Sequence, residues 1–226
     1  MIKFQNITKT YSPNTVVLEN ISFEVKEGEF VSIVGRSGAG KTTLIRLLLG
    51  LEKPTFGDIF YRETNIHNTK PAKLQEIRRK IGVVYQDYKL LPIKTAYENI
   101  AYVMSVKGEE EEKISKEVFK ILELTGLSDK INNFPDELSG GEQQRLAIAR
   151  AIVNQPEVVI ADEPTGNLDP YNTYEVISIL KRINAVGKTV ILATHDKEIV
   201  NQLGKRVITL DRGRILRDEE KGRFIL

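Results

Sequence analysis

The 33 Lys and Arg residues nearly balance the 31 Asp and Glu over 226 residues, and they are scattered along the chain, so a broad basic nucleic-acid-binding surface is not expected. With no cysteine, the chain forms no disulfide and suits a reducing compartment. Its length accommodates one large α/β domain, or a core with a subdomain, around a sizeable hydrophobic centre.

The opening Met1-Ile2-Lys3-Phe4-Gln5-Asn6 does not read as a cleavable apolar leader. No stretch reaches the roughly 20 apolar residues of a bilayer span, so a soluble chain is expected. Residues 2–8 and 16–25 read as strands, the second with Ile21, Phe23 and Val25 in period-two alternation. Glu27-Gly28 marks a turn into an apolar strand at 30–34, and a helix is expected from about Lys41. Pro54 and Gly57 flank a further turn, followed by short strands at 58–61 and 80–85. From about residue 95 to residue 151 helical spacing dominates. There Ile114, Val118, Ile121 and Leu122 form one apolar stripe, and Glu109 to Glu112 suit a solvated helix start, where the dipole favours acids. Residues 158–161 and 189–193 are buried-strand candidates, separated by a helix carrying Val176, Ile177, Leu180 and Ile183. The pattern predicts an α/β core interrupted by a helical insertion.

Gly35-Arg36-Ser37-Gly38-Ala39-Gly40-Lys41-Thr42 fits the phosphate-loop pattern G-x-x-x-x-G-K-[ST], between a strand and a helix. A polyphosphate binds where backbone N–H groups point inward, and the close approach this needs favours glycine at 35, 38 and 40. Lys41 reaches the terminal phosphates, Thr42 offers a hydroxyl to Mg²⁺, and the helix turns its positive end to the anion. A second motif, Val158-Val159-Ile160-Ala161-Asp162-Glu163, is an apolar strand ending in two carboxylates. Alone it could be a solvated strand end; beside a phosphate loop, Asp162 is suited to hold Mg²⁺ through water and Glu163 to orient the attacking water. Between the two, Leu138-Ser139-Gly140-Gly141-Glu142-Gln143 opens a helix. It reads either as an ordinary N-cap or as a second anion site, with free N–H groups and the Ser139 hydroxyl available to a γ-phosphate.

In this order the phosphate loop, the Leu-Ser-Gly-Gly-Glu segment, the strand ending in Asp-Glu and a later histidine resemble the ATP-binding cassette (ABC) ATPase family, over essentially the whole chain. The resemblance implies an α/β P-loop NTPase fold with an antiparallel β region and an inserted α-helical subdomain. One domain would span residues 1–226, with 1–87 and 152–226 as the catalytic core and 88–151 mainly helical. It implies ATP and Mg²⁺ as ligands and hydrolysis to ADP and phosphate. Nucleotide contacts would come from Gly35, Arg36, Ser37, Gly38, Ala39, Gly40, Lys41, Thr42 and Thr43, with Tyr11 stacking on adenine. Gln86 would contact Mg²⁺ and the attacking water, so that Thr42, Gln86 and Asp162 form the metal set. Ser139, Gly140, Gly141, Glu142 and Asp169 would face a second copy, and His195 would contact the γ-phosphate. Lys41, Gln86, Glu163 and His195 would be the catalytic group. His67 has no such context and is read as a surface residue.

Family membership further implies an ATP-dependent homodimer working with an integral membrane subunit, peripheral to the membrane on its cytoplasmic face, with no nucleic-acid partner. The segment Val84-Tyr85-Gln86-Asp87-Tyr88-Lys89-Leu90-Leu91 resembles the cell-division branch. The run Pro164-Thr165-Gly166-Asn167-Leu168-Asp169 is shared with lipoprotein-release and macrolide-efflux branches. Soluble cassette proteins of DNA repair or translation normally carry paired cassettes, a long coiled coil or zinc-binding cysteines, none of which is present here. Glu163 argues against a non-hydrolysing scaffold. Tyr88, Leu90 and Leu91 are read either as a groove for a short partner helix or as packing inside the insertion.

Overall fold

The computed structural model describes residues 1–12 and 15–224. Two sheets divide the strands. The first is antiparallel, built from β1 (Ile2–Ser12), β2 (Thr15–Val25), β4 (Phe56–Tyr61) and β5 (Thr64–Asn65) in the order β2-β1-β4-β5. The second contains β3 (Phe30–Val34), β6 (Ile81–Tyr85), β7 (Val158–Asp162), β8 (Thr189–Thr194), β9 (Arg206–Asp211) and β10 (Arg214–Glu219), in the order β10-β9-β3-β8-β7-β6. Its strands pair in parallel except β10, which runs antiparallel to β9.

Every residue of β3, β7 and β8 is buried, as expected of parallel strands covered on both faces. Their alternate side chains feed two different cores. Ile160 and Ile191 point into a cluster with β1, β2 and helix α1 (Lys41–Leu48), whereas Val159, Ala161, Val190 and Leu192 face the helices on the other side. Those helices are α3 (Ala96–Lys107), α4 (Glu111–Leu124), α5 (Gly140–Ile152) and α6 (Pro170–Ala185). The stripe Ile114, Val118, Ile121 and Leu122 is buried on α4, where each such side chain contributes about 1.5–3 kcal/mol. A charge at Val118, which is 0% exposed, would break that packing. Two short 3-10 turns, Ser128–Lys130 and Pro135–Glu137, separate α4 from α5.

Five elements have no counterpart in the sequence reading: β5, α2 (Pro71–Arg79), α7 (Lys197–Leu203), β9 and β10. On α2 only Ile77 is buried, so no apolar stripe announces the helix. His67 also departs from expectation. It is half-buried, its Nε2 has no hydrogen-bond partner, and burial followed by the nearby Lys53 pushes its pKa down. It is a packed residue and not a surface one.

Candidate functional site

Sheet register explains why distant motifs converge. Val34 pairs with Thr194, Tyr85 with Asp162, and Asp162 with Ala193. The residues that follow, Gly35, Gln86, Glu163 and His195, therefore leave the sheet along its C-terminal edge, the usual ligand edge of an open α/β sheet. A cleft of about 620 Å³ there is lined by Tyr11, Gly40, Lys41, Thr42, Thr43, Gln86, Glu163 and His195, among others.

The three loop glycines serve three separate needs. Gly38 has φ +79° with open space around it, so backbone conformation alone selects glycine. Gly40 has φ +103°, and a Cβ there would stand 2.6 Å from Leu18 Cδ2. A Cβ at Gly35 would run into the Leu210 carbonyl and lie 2.9 Å from Ala39 Cβ. At 35 the requirement is packing of the loop against β9, not the approach of a phosphate. Helix α1 begins at Gly40 with no side-chain cap and no acid in its first turn. Its first N–H groups and positive dipole end are left for an anion.

The charged groups form a chain. Lys41 Nζ donates to the Gly35 and Arg36 carbonyls at 2.8 and 3.3 Å and lies 3.1 Å from Glu163 Oε1. The other Glu163 oxygen accepts the His195 backbone N–H at 3.2 Å and lies 2.9 Å from His195 Nδ1. Glu163 adopts φ 49°, a left-handed conformation that costs a non-glycine residue about 1–2 kcal/mol. Its N–H donates to the Ala193 carbonyl at 2.8 Å, pinning it to β8. Asp162 behind it is 7% exposed, and its Oδ1 has no partner. Burial raises the Asp162 pKa, opposed by a hydrogen bond with Thr42. An unpartnered carboxylate oxygen beside a hydroxyl is the hard-oxygen environment that suits a divalent cation completed by substrate phosphates and water. Among the described residues there is no cluster of three or more His, Asp or Glu that would hold a metal without such help.

Ser139 and Asp169 lie outside the cleft. Ser139 caps α5, accepting from the Glu142 N–H at 3.3 Å and donating to Glu142 Oε2 at 2.8 Å. Its hydroxyl is engaged in this cap, as the N-cap reading of the segment expects. Gly141 sits against Asn172 so closely that a Cβ would collide with the Asn172 amide. Asn172 in turn donates through its backbone N–H to Asp169 Oδ1 at 2.9 Å and through Nδ2 to Oδ2 at 2.5 Å, and accepts from Arg145 at 3.1 Å. Asp169 thus caps α6 and, through Asn172, ties it to the start of α5. Tyr88 and Leu90 pack half-buried against the helical core. The open groove lies beside them, about 380 Å³ lined by Val83, Tyr102, Val103 and Val106 with Arg78, Arg79 and Lys107 nearby.

The sequence profile described as "ABC transporter" matches residues 18–166, which include the phosphate loop, Ser139 to Glu142 and the Asp162-Glu163 pair. The chain belongs to the ABC transporter family. This ABC ATPase is 51% identical over 224 residues to the cell division ATP-binding protein FtsE of Streptococcus pneumoniae serotype 2 (strain D39), covering 99% of this chain and 97% of the relative. It is 50% identical to FtsE of Bacillus subtilis (strain 168), covering 99% and 98%. Among solved structures, a dimeric ATP-binding cassette in a post-hydrolysis state, bound to ADP and Pi, superposes with a TM-score of 0.89 at 38% identity, over 99% of this chain and 100% of that one. No helix among the described residues of the ABC ATPase is long and apolar enough to cross a membrane.

Proposed function

We propose that this ABC ATPase powers a cell-division system of the FtsE type, as a homodimer at the cytoplasmic face of the membrane with an integral membrane subunit of the FtsX kind. Residues 1–87 and 152–226 form its catalytic core and 88–151 its helical subdomain. The observation that carries the catalytic reading is the single cleft joining the phosphate loop to Gln86, Glu163 and His195. The identity to curated FtsE proteins along nearly the whole chain supports the cellular role.

Backbone N–H groups of residues 35–43 and the Lys41 ammonium bind the phosphates, and Tyr11 stacks on the base. Thr42, Gln86 and Asp162 would hold Mg²⁺, which would supply neutralisation of the phosphate charge. Glu163 orients a water and accepts its proton as the water oxygen bonds to the γ-phosphorus and the bond to the ADP oxygen breaks. His195 supports Glu163 and the γ-phosphate. ADP and phosphate leave. Ser139 to Glu142 and Asp169 face the second copy and complete its site. The membrane subunit docks in the groove of Val83, Tyr102 and Val106, beside the segment that follows Gln86.

Two variants separate binding from turnover. Lys41→Ala loses the cation that faces the phosphates and should bind ATP weakly. Glu163→Gln removes the carboxylate that now neutralises Lys41 at 3.1 Å, so it should bind ATP at least as tightly as the parent protein while phosphate release falls by roughly 100-fold or more. Unchanged phosphate release in Glu163→Gln would remove Glu163 from its role.

A further inference from the structure

Tyr11 is 51% exposed, and the backbone does little to fix it. Register shifts interrupt the β1–β2 ladder just before it, between Lys9 and Thr10, and across it, between Thr10 and Ser12. The side chain is held instead by its tip. The phenol donates to Glu52 Oε2 at 2.6 Å. Glu52 is 21% exposed and is held in turn by Arg46 Nη1 at 3.1 Å and Lys9 Nζ at 3.4 Å. Lys9 Nζ also donates to the Lys53 carbonyl at 2.8 Å and stands over one face of the Tyr11 ring, 4.8 Å from its centroid. A stacking partner therefore has the opposite face.

Glu52 belongs to the turn that closes α1. Leu51 N–H donates to the Arg46 carbonyl at 2.9 Å and Gly50 N–H to the Leu47 carbonyl at 3.0 Å, so Glu52 moves with the helix whose first turn follows the phosphate loop. One carboxylate thus connects the aromatic ring to the phosphate-binding helix. We propose that Glu52 is a positioning residue for the nucleotide base: its bond to the Tyr11 phenol sets the ring at a fixed distance from the phosphate loop and restricts it before the nucleotide arrives. The inference rests on Tyr11 serving as the base platform.

The test measures ATP and GTP binding by calorimetry with Mg²⁺, steady-state ATP hydrolysis and thermal melting on the full chain. The variants are Glu52→Ala, Glu52→Gln, Tyr11→Phe, Tyr11→Phe with Glu52→Ala, and Tyr11→Ala. Releasing an ordered aromatic side chain should raise the ATP Kd and KM of Glu52→Ala by roughly 3- to 10-fold. kcat should hold, the preference for ATP over GTP should narrow, and Glu52→Gln, which keeps an acceptor, should retain most of the affinity. In the Tyr11→Phe background, where the phenol is gone, Glu52→Ala should add nothing. An equal loss in both backgrounds, or a loss that follows a fall in melting temperature, makes Glu52 structural and overturns the proposal. Weakened ATP binding in Tyr11→Ala with Glu52→Ala silent overturns the Glu52 link alone. Unchanged affinity in Tyr11→Ala overturns the platform reading and the proposal with it.

Discussion

Replacing Arg150 by methionine perturbs the segment that follows Gln86 without touching the nucleotide cleft. From α5, the Arg150 guanidinium donates to the Lys89 carbonyl at 2.6 Å and the Tyr88 carbonyl at 3.0 Å. Both of those residues have positive φ, 57° at Tyr88 and 53° at Lys89, so two consecutive non-glycine residues are held in a strained backbone region at about 1–2 kcal/mol each. A hydrogen bond from a charged donor contributes about 1.5–3 kcal/mol. Against the loss of two such bonds stands relief of the guanidinium's burial, which lowers the Arg150 pKa. The Lys89 carbonyl can also rehydrate, since that bond lies at the exposed surface. The net cost is about 2–3 kcal/mol, equivalent to a melting-temperature fall of roughly 4–12 °C for a chain of this size. Differential scanning calorimetry measures it, and Lys89→Gly, which relaxes one strained residue, should recover part of the loss in the Arg150→Met background. A melting temperature within about 1 °C of the parent would refute the clamp.

Acid should weaken the protein partly through Glu157. Burial acts to raise its pKa, but hydrogen bonds from Tyr61, Lys80 and Arg62 outweigh it and hold the carboxyl at about 2, below its ordinary 4.5. A depressed native pKa stabilises fully above about pH 5 and is lost as pH falls toward 2. With the side chain 30% exposed, screening leaves about 1–2 kcal/mol. Urea titrations at pH 7 and pH 3 should show that much less acid sensitivity in Glu157→Gln, and identical sensitivity would contradict the assignment. In the groove proposed for docking, Val106 is 65% exposed, so Val106→Glu should melt and bind ATP normally yet lose co-purification with the membrane subunit; undiminished capture would place the docking surface elsewhere.

Much of the architecture was legible because it depends on local signals. The phosphate loop carries its own conformational demands, the buried strands read as apolar runs, and the α4 stripe follows the helical period. What escaped depends on tertiary partners. Glu52 becomes informative only when β1 carries Tyr11 against the α1 turn, and Asn172 only when α6 packs on Gly141. Arg150 is one basic residue among 33 until the fold sets it under two carbonyls. The exposed β10 lacks a buried alternation, and α7 spans only seven residues, too short to show a period. The hydroxyl of Ser139 shows the opposite limit. Its residue type suits both an anion site and a helix cap, and in this structure it caps α5 with Glu142.

The proposed mechanism requires ATP to join two copies of this chain across their nucleotide sites. Multi-angle light scattering of Glu163→Gln with ATP and Mg²⁺ tests it most directly. The expected species has twice 25.6 kDa, needs ATP, returns to one chain when ATP is withheld, and is weakened by adding Ser139→Arg. A single-chain mass at saturating ATP, with nucleotide binding intact, would contradict it.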